Sequence, residues 1–193
     1  MKLFYHPGAC SLAVHIALIE AGLPFELVRI DRDKRTGDGR DFLSINPHGF
    51  VPTLEFDDGM VLSEALANLC YVAGHATHLL PEQEPARWRV LETLSFMTTE
   101  LHGHFKPLWK RAPDAEQAAA KQSLTRHFSA LGRQLGDAAY IAAPRITIAD
   151  PYLFVMLRWA SAHGIDVPAN LAACHDRLRA LPPVAQALSE EGL

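Results

Sequence analysis

Hydrophobic residues change their period once along this chain, near Pro85, and that change restricts the fold to a small mixed sheet with helices followed by a helical domain. Ahead of it, residues 2–5 and 26–30 read as short strands. Between them Leu12, His15, Ile16, Ile19 and Leu23 recur at the spacing of an amphipathic helix, with Gly22 as its stop, which makes a βαβ unit. After a polar loop rich in Asp, Lys, Arg and Gly, residues 53–56 and 60–62 read as two further strands joined at Asp58-Gly59, a hairpin turn pair, and a helix is expected from about Ser63. Pro52 stands immediately before the first of these strands. It cannot donate to a ladder, so it fixes where the strand begins, and its bond to Val51 is a candidate cis peptide.

His75 to Pro85 reads as a linker, and every periodic segment beyond it is helical. Leu91, Leu94, Leu101, Phe105 and Leu108 line one expected helix up to the Pro107 region; Leu124, Phe128, Leu131 and Leu135 line the next, ending before Gly136. The expected domains are therefore 1–77, built βαβ-ββα, and 86–193, all helical. In "RITIADPYLFVMLRWASAHG", Thr147 can cap a helix with its hydroxyl while Asp150 reaches back to the Thr147 N–H, and the helix should run to Gly164. This pair is assigned to folding alone.

Composition narrows the function. Of 193 residues 49% are hydrophobic, ample for a packed core, and 18 Lys+Arg against 22 Asp+Glu give a net charge of -4 without a long run of either sign. Neither nucleic acid nor an anionic membrane has a footprint here. The apolar runs fall short of the roughly 18–20 residues a bilayer requires, and Lys2 leads into a strand instead of a signal-peptide apolar region, so a cytoplasmic protein is expected. Cys10, Cys70 and Cys174 are widely spaced and form no CxxC, which opposes a disulfide framework and a zinc site alike. His102 and His104 diverge on a helix and His75 with His78 supply only two ligands, so no metal is expected.

Cys10 is the outstanding thiol. "FYHPGACSLAVHIALIEAG" places it where a strand gives way, through Pro7-Gly8, to a helix, among unpaired backbone N–H groups at the positive end of the dipole, an arrangement that favours a thiolate. Cys70 and Cys174 sit in or beside helical patterns and read as small buried hydrophobes.

"MKLFYHPGACSLAVHIAL", "NPHGFVPTLEFDDG", "LSEALANLCYVA", "TELHGHF" and "ITIADPYLFVMLRWA" together resemble the bacterial, beta-class cytosolic glutathione S-transferases, in order and across nearly the whole chain. The resemblance implies a thioredoxin-like N-terminal domain, an all-helical C-terminal domain, a homodimer, and a role in detoxification with glutathione as co-substrate. It places Cys10 beside the glutathione sulfur, with Tyr5, Ser11 and His102 as further catalytic candidates. Val51, before Pro52, matches the residue whose backbone pairs with the cysteinyl part of glutathione, a strand-addition contact. Glu64 and Ala65 match the pair at a helix start that holds the γ-glutamyl end, and Arg35 falls near the glycyl end. Ser95, Thr99, Glu100, Leu101 and His102 match the stretch of the helical domain that lines the cleft; the spacing of Ser95, Thr99 and His102 puts these three on one helical face. Ala65, Gly103 and His48 stand where the family often has Ser, Lys and Lys.

The chemistry separates two uses of the sulfur. Lowering a thiol pKa by two units from about 8.5 raises the thiolate fraction at pH 7 from about 3% to about three-quarters, yet the accompanying loss of nucleophilicity leaves a gain of only a few-fold. Orientation of glutathione against a small hydrophobic electrophile must supply more. For conjugation, Cys10 has to be a neutral S–H donor, because two adjacent thiolates repel; for thiol transfer or dehydroascorbate-type reduction it would be a low-pKa nucleophile forming a mixed disulfide. A non-catalytic, transferase-like binding module is the alternative outside enzymology.

Overall fold

The computed structural model describes residues 1–193, with β1 (Lys2–Tyr5), α1 (Ser11–Glu20), β2 (Glu26–Arg29), α2 (Phe42–Ile45), β3 (Thr53–Glu55), β4 (Val61–Ser63), α3 (Ala65–His75), α4 (Ala86–Phe96), α5 (Lys106–Trp109), α6 (Asp114–Leu135), α7 (Ala149–Ala162), α8 (Ala169–Arg179) and α9 (Pro182–Glu191). Its residues group into two compact units, Met1–Leu79 with Leu181–Leu193, and Leu80–Ala180. No helix is long and apolar enough to cross a membrane.

The first unit holds a four-stranded sheet of order β2-β1-β3-β4, in which β1 runs parallel to β2 and antiparallel to β3, and β3 is antiparallel to β4. Alternation along the strands divides its core. Phe4, Val28, Ile30 and Phe42 cluster together, with Ile45 and Val51 against them. Leu3 pairs with Leu54 and both are fully buried, while α1 and α3 pack against each other and against strands of the sheet. Each such side chain contributes roughly 1.5–3 kcal/mol by leaving water.

Two expectations change here. Helix α1 is buried on all sides from Ser11 to Leu18, not along one stripe, because α9 packs on it in addition to α3 and β1. The expected division assigned α9 to the helical domain with the rest of residues 86–193, whereas Leu181–Leu193 groups with the first unit. Periodicity gives a helix its apolar face but not the neighbour it will meet.

In the second unit α7 is central, buried from Ala149 through Leu157, and packs against α4 and α8. Helices α6 and α8 approach closely at Gly132, where a Cβ would lie 2.8 Å from the Pro168 ring. The expected single helix from Leu91 to Leu108 is broken: α4 ends at Phe96, a wider π turn spans Met97–Leu101, a 3-10 turn spans His102–Phe105, and α5 follows. The Thr98 and Thr99 hydroxyls both donate to the Ser95 carbonyl, at 2.9 and 3.0 Å, drawing on an oxygen that the regular ladder uses. Pro107 offers no N–H, which a fresh helix start tolerates and a helix interior does not. Leu91 is only half-buried; Val90, Leu94, Met97, Leu101, Phe105 and Leu108 make the buried stripe.

The Thr147–Asp150 box forms, and reaches further than expected. Asp150 is fully buried and accepts from the Thr147 N–H at 2.7 Å, the Thr147 hydroxyl at 3.0 Å and the Ile141 N–H at 2.9 Å, so it fastens the 141–147 loop to the start of α7. The helix ends at Ala162, with Gly164 in the left-handed region at φ +62° just beyond. Burial pushes the Asp150 carboxyl from 3.8 up to about 6, against the pull of these donors. Asp150→Ala is expected to cost roughly 3–5 kcal/mol in urea unfolding, since it strands three buried donors. With the folded value above the unfolded one, the group favours folding fully below about pH 4 and withdraws that support as pH rises through about 6; Asp150→Asn should flatten that part of the stability-pH curve.

Candidate active site

Cys10 caps α1 in helical geometry, half-buried, and its Sγ–H donates to the Val51 carbonyl at 3.2 Å. The strand-to-helix turn and the Val51-Pro52 segment are thus in contact through the one sulfur the sequence singles out. The Val51-Pro52 peptide is cis. Its approach is held by Asn46, whose amide donates to the Phe50 carbonyl at 3.0 Å and to the Thr53 hydroxyl at 2.9 Å, with that hydroxyl donating in turn to Phe50 at 3.0 Å.

Of the two uses of the sulfur left open by the sequence, the surroundings of Cys10 oppose the thiolate. Burial, with a smaller contribution from the Glu64 charge, pushes the Cys10 thiol up to about 12, although the N–H groups of Cys10 and Ser11 pull the other way. The dipole at a helix start is worth about 0.3–1 kcal/mol at exposed sites, and desolvation outweighs it here. The surroundings of Cys10 in this fold favour the protonated thiol.

Cys10 is fastened from behind by residues that sequence reasoning missed. Glu191 on α9 is fully buried; one carboxylate oxygen accepts from the Gly8 N–H at 2.9 Å and the other bonds the His15 ring at 3.0 Å. The second ring nitrogen of His15 meets Glu190 at 2.7 Å. Gly8 stands at φ +71° with Leu193 side-chain atoms 3.7 Å from where a Cβ would be, so the turn leading to Cys10 is fitted to a glycine. No local spacing announces this contact, because His15 and Glu191 are 176 residues apart.

The other expected residues are placed as follows. Tyr5 ends β1, buried, and burial with the Glu191 charge pushes its phenol up, so it stays protonated. The Ser11 hydroxyl is fully buried and bonds only the His6 backbone, at 3.4 Å, which departs from the expected ligand-facing hydroxyl: it closes the turn instead. Arg35 is exposed in the 31–41 loop, its N–H on Asp31. Glu64 precedes α3 at φ +71°, a conformation unfavourable to any residue with a Cβ, and its side chain is exposed beside buried Ala65. Asn68, one turn on, holds that backbone by donating to the Glu64 carbonyl at 2.7 Å and the Leu62 carbonyl at 3.2 Å.

In the second unit Ser95, Thr99 and Glu100 are exposed, and the π turn removes the regular spacing that put Ser95, Thr99 and His102 on one face. Leu101 is fully buried and packs the core, contrary to its expected place on the ligand. His102 is half-buried with Nδ1 2.6 Å from the Tyr152 hydroxyl, and burial, aided by Lys106, holds its pKa down at about 4. No group of three or more His, Cys, Asp or Glu could hold a metal.

Family profiles for the glutathione S-transferase N-terminal and C-terminal domains match residues 8–74 and 114–186. Glutathione S-transferase GstA of Escherichia coli O157:H7 is 40% identical over the full length of both chains. Among solved structures, a sphingomonad glutathione S-transferase complexed with glutathione superposes with a TM-score of 0.93 at 43% identity, and the beta-class glutathione S-transferase of Sphingomonas chungbukensis with 0.94 at 42%, each covering all of both chains.

Glu191→Ala leaves one nitrogen of the buried His15 ring and the Gly8 N–H without their partner, and is expected to cost roughly 3–5 kcal/mol in urea unfolding. Glu190→Ala, at a carboxylate 38% exposed, should cost about 1 kcal/mol or less.

Proposed function

Since this chain belongs to the glutathione S-transferase family, we propose that its first unit binds glutathione along the Val51-Pro52 edge and at the start of α3, while its helical unit seats a small hydrophobic electrophile. The enzyme is a glutathione transferase with glutathione as co-substrate, and one of its structural relatives is a bacterial beta-class enzyme. One observation carries the reading of the site: the Cys10 sulfur 3.2 Å from the Val51 carbonyl, in surroundings that oppose its ionisation.

On binding, the cysteinyl backbone of glutathione adds to the strand edge at Val51, and the Cys10 S–H turns from the Val51 carbonyl to the glutathione sulfur. A neutral donor stabilises the glutathione thiolate without placing a second negative charge beside it. That sulfur attacks the electrophile. A carbon–sulfur bond forms, the bond to the leaving group breaks with the electron pair departing on it, and the thiol proton passes to solvent. Glu64 faces the ammonium of the γ-glutamyl end, the free N–H groups at the start of α3 face its carboxylate, and Arg35 serves the glycyl carboxylate. His102, neutral at pH 7 and bonded to Tyr152, orients substrate and does not shuttle protons.

The same environment disfavours the reductase reading, because burial pushes the Cys10 thiol up and so opposes the thiolate that a mixed disulfide requires. Our reading includes a cytoplasmic location and a homodimer, the latter favoured by large apolar side chains left on the surface of the first unit, Phe50 at 70% and Met60 at 51% exposure.

The test begins with retention on immobilised glutathione. Cys10→Ser, which keeps a donor, should conjugate an aryl halide within several-fold of wild type, and Cys10→Ala should lose roughly 10- to 100-fold in kcat/KM, the loss of a hydrogen bond to a charged sulfur. Equal collapse of both variants, with glutathione found disulfide-bonded to wild-type Cys10, would establish the covalent route. No retention and no turnover would establish a binding module.

A further inference from the structure

We propose that the first unit carries a binding site for small organic cations, formed where the turn from α1 into β2 meets α9, and that its ligands are ammonium compounds with an apolar body. A hollow of about 410 Å³ opens there, bounded by Leu23, Pro24, Phe25 and Leu27 on one side and by Gln186 and Glu190 of α9 on the other. None of the residues assigned to glutathione lines it. Its size is that of small-molecule sites, which are apolar recesses with a few fixed polar groups. The first wall is held by its backbone: Gly22 ends the helical run in the left-handed region at φ +64°, the Leu23 N–H returns to the Leu18 carbonyl at 3.1 Å, and the Glu26 N–H bonds the Met1 carbonyl at 3.0 Å. Phe25 is half-buried, its ring against that of His15 at 5.4 Å and 79°.

The sign of the hollow follows from counting protons. Both His15 nitrogens meet carboxylate oxygens, that of Glu190 at 2.7 Å and that of Glu191 at 3.0 Å. Two such bonds need two hydrogens. Whether they form an imidazolium between two carboxylates or a neutral ring beside one protonated carboxyl, the three groups together carry one negative charge. The Gln186 amide, donating at 2.9 Å, and after it His15 hold the Glu190 carboxyl below its usual range, so the charge rests on the group that lines the hollow. Exposed Glu26, in the same segment, is offset by Lys2 at 4.0 Å. Glu190 has His15 on one oxygen and Gln186 on the other, which leaves each oxygen a further lone pair, and its side chain is 38% exposed. An anion would be repelled here. An ammonium puts N–H donors on those lone pairs in charge-assisted bonds while its carbon body covers Leu23, Phe25 and Leu27.

The probe is phenethylammonium, with phenylacetate and phenylethanol as its anionic and neutral counterparts, each titrated into the full isotope-labelled chain at neutral pH and followed by amide resonances in NMR. The ammonium should shift Leu23, Phe25, Glu26 and Leu27 together with residues 186–190 of α9, saturably and with a Kd of about 1 mM or tighter, and both counterparts should bind at least about tenfold more weakly. Glu190→Gln should weaken the ammonium about tenfold. Gln186→Lys, which sets the chain's own ammonium one turn from Glu190 at an exposed position, should weaken it at least as much. Dispersed amide spectra report that each variant is folded, and Gln186→Lys keeps the comparison decisive should Glu190→Gln disturb the contact with His15. Equal affinity for the three probes, saturable shifts confined to other residues, shifts that never saturate, or affinity unchanged in both variants would overturn the proposal.

Discussion

A carboxylate with no exposed surface, that of Glu191, fixes the geometry on which the site depends. A buried carboxyl group is tolerated only when its oxygens are engaged, and here one takes the Gly8 N–H while the other bonds the His15 ring. The contact joins α9 to the middle of α1 and to the turn two residues ahead of Cys10 at once. On the opposite side Asn46, Thr53 and the Phe50 carbonyl fix the run into Val51. The sulfur and the carbonyl it bonds are therefore each positioned by separate buried networks, and their distance is a property of the fold and not of one flexible side chain.

What that sulfur can do follows from a contest between two physical effects. Its place at a helix start favours negative charge; its enclosure opposes it, and Glu64 adds to the opposition. Enclosure prevails, which favours the protonated thiol and, on the conjugation reading proposed above, leaves nucleophilicity to the glutathione sulfur. A helix terminus is thus a weak guide to cysteine reactivity unless the solvent exposure of the thiol is also known.

Local features were legible in the sequence to the extent that their causes are local. Strands β1 to β4 came within about two residues of their observed limits, because alternation, the Asp58-Gly59 turn and Pro52 act over a few residues. The Thr147–Asp150 box was readable for the same reason, although its reach to Ile141 was not. The break after Phe96 was missed, since the apolar stripe continues through it and only the threonine pair and Pro107 hint at a change of pitch. Cys10, Val51, Glu64 and Ala65 were marked by motif and position. Asn68 stands one turn past Glu64 and a search for helix-start support would have found it, whereas Glu191 acts across the length of the chain and leaves no pattern to read.

The first unit is written in two pieces, with the helical unit between them. On the ribosome, the sheet, α1 and the Cys10 turn emerge early, and they wait while about a hundred residues of another unit are made. Until residues 181–193 follow, His15 faces the groove that α9 will fill with neither glutamate in place. The bond from the Gly8 N–H to Glu191, which braces the turn ahead of Cys10, is therefore one that the first unit gains only when α9 has been synthesised.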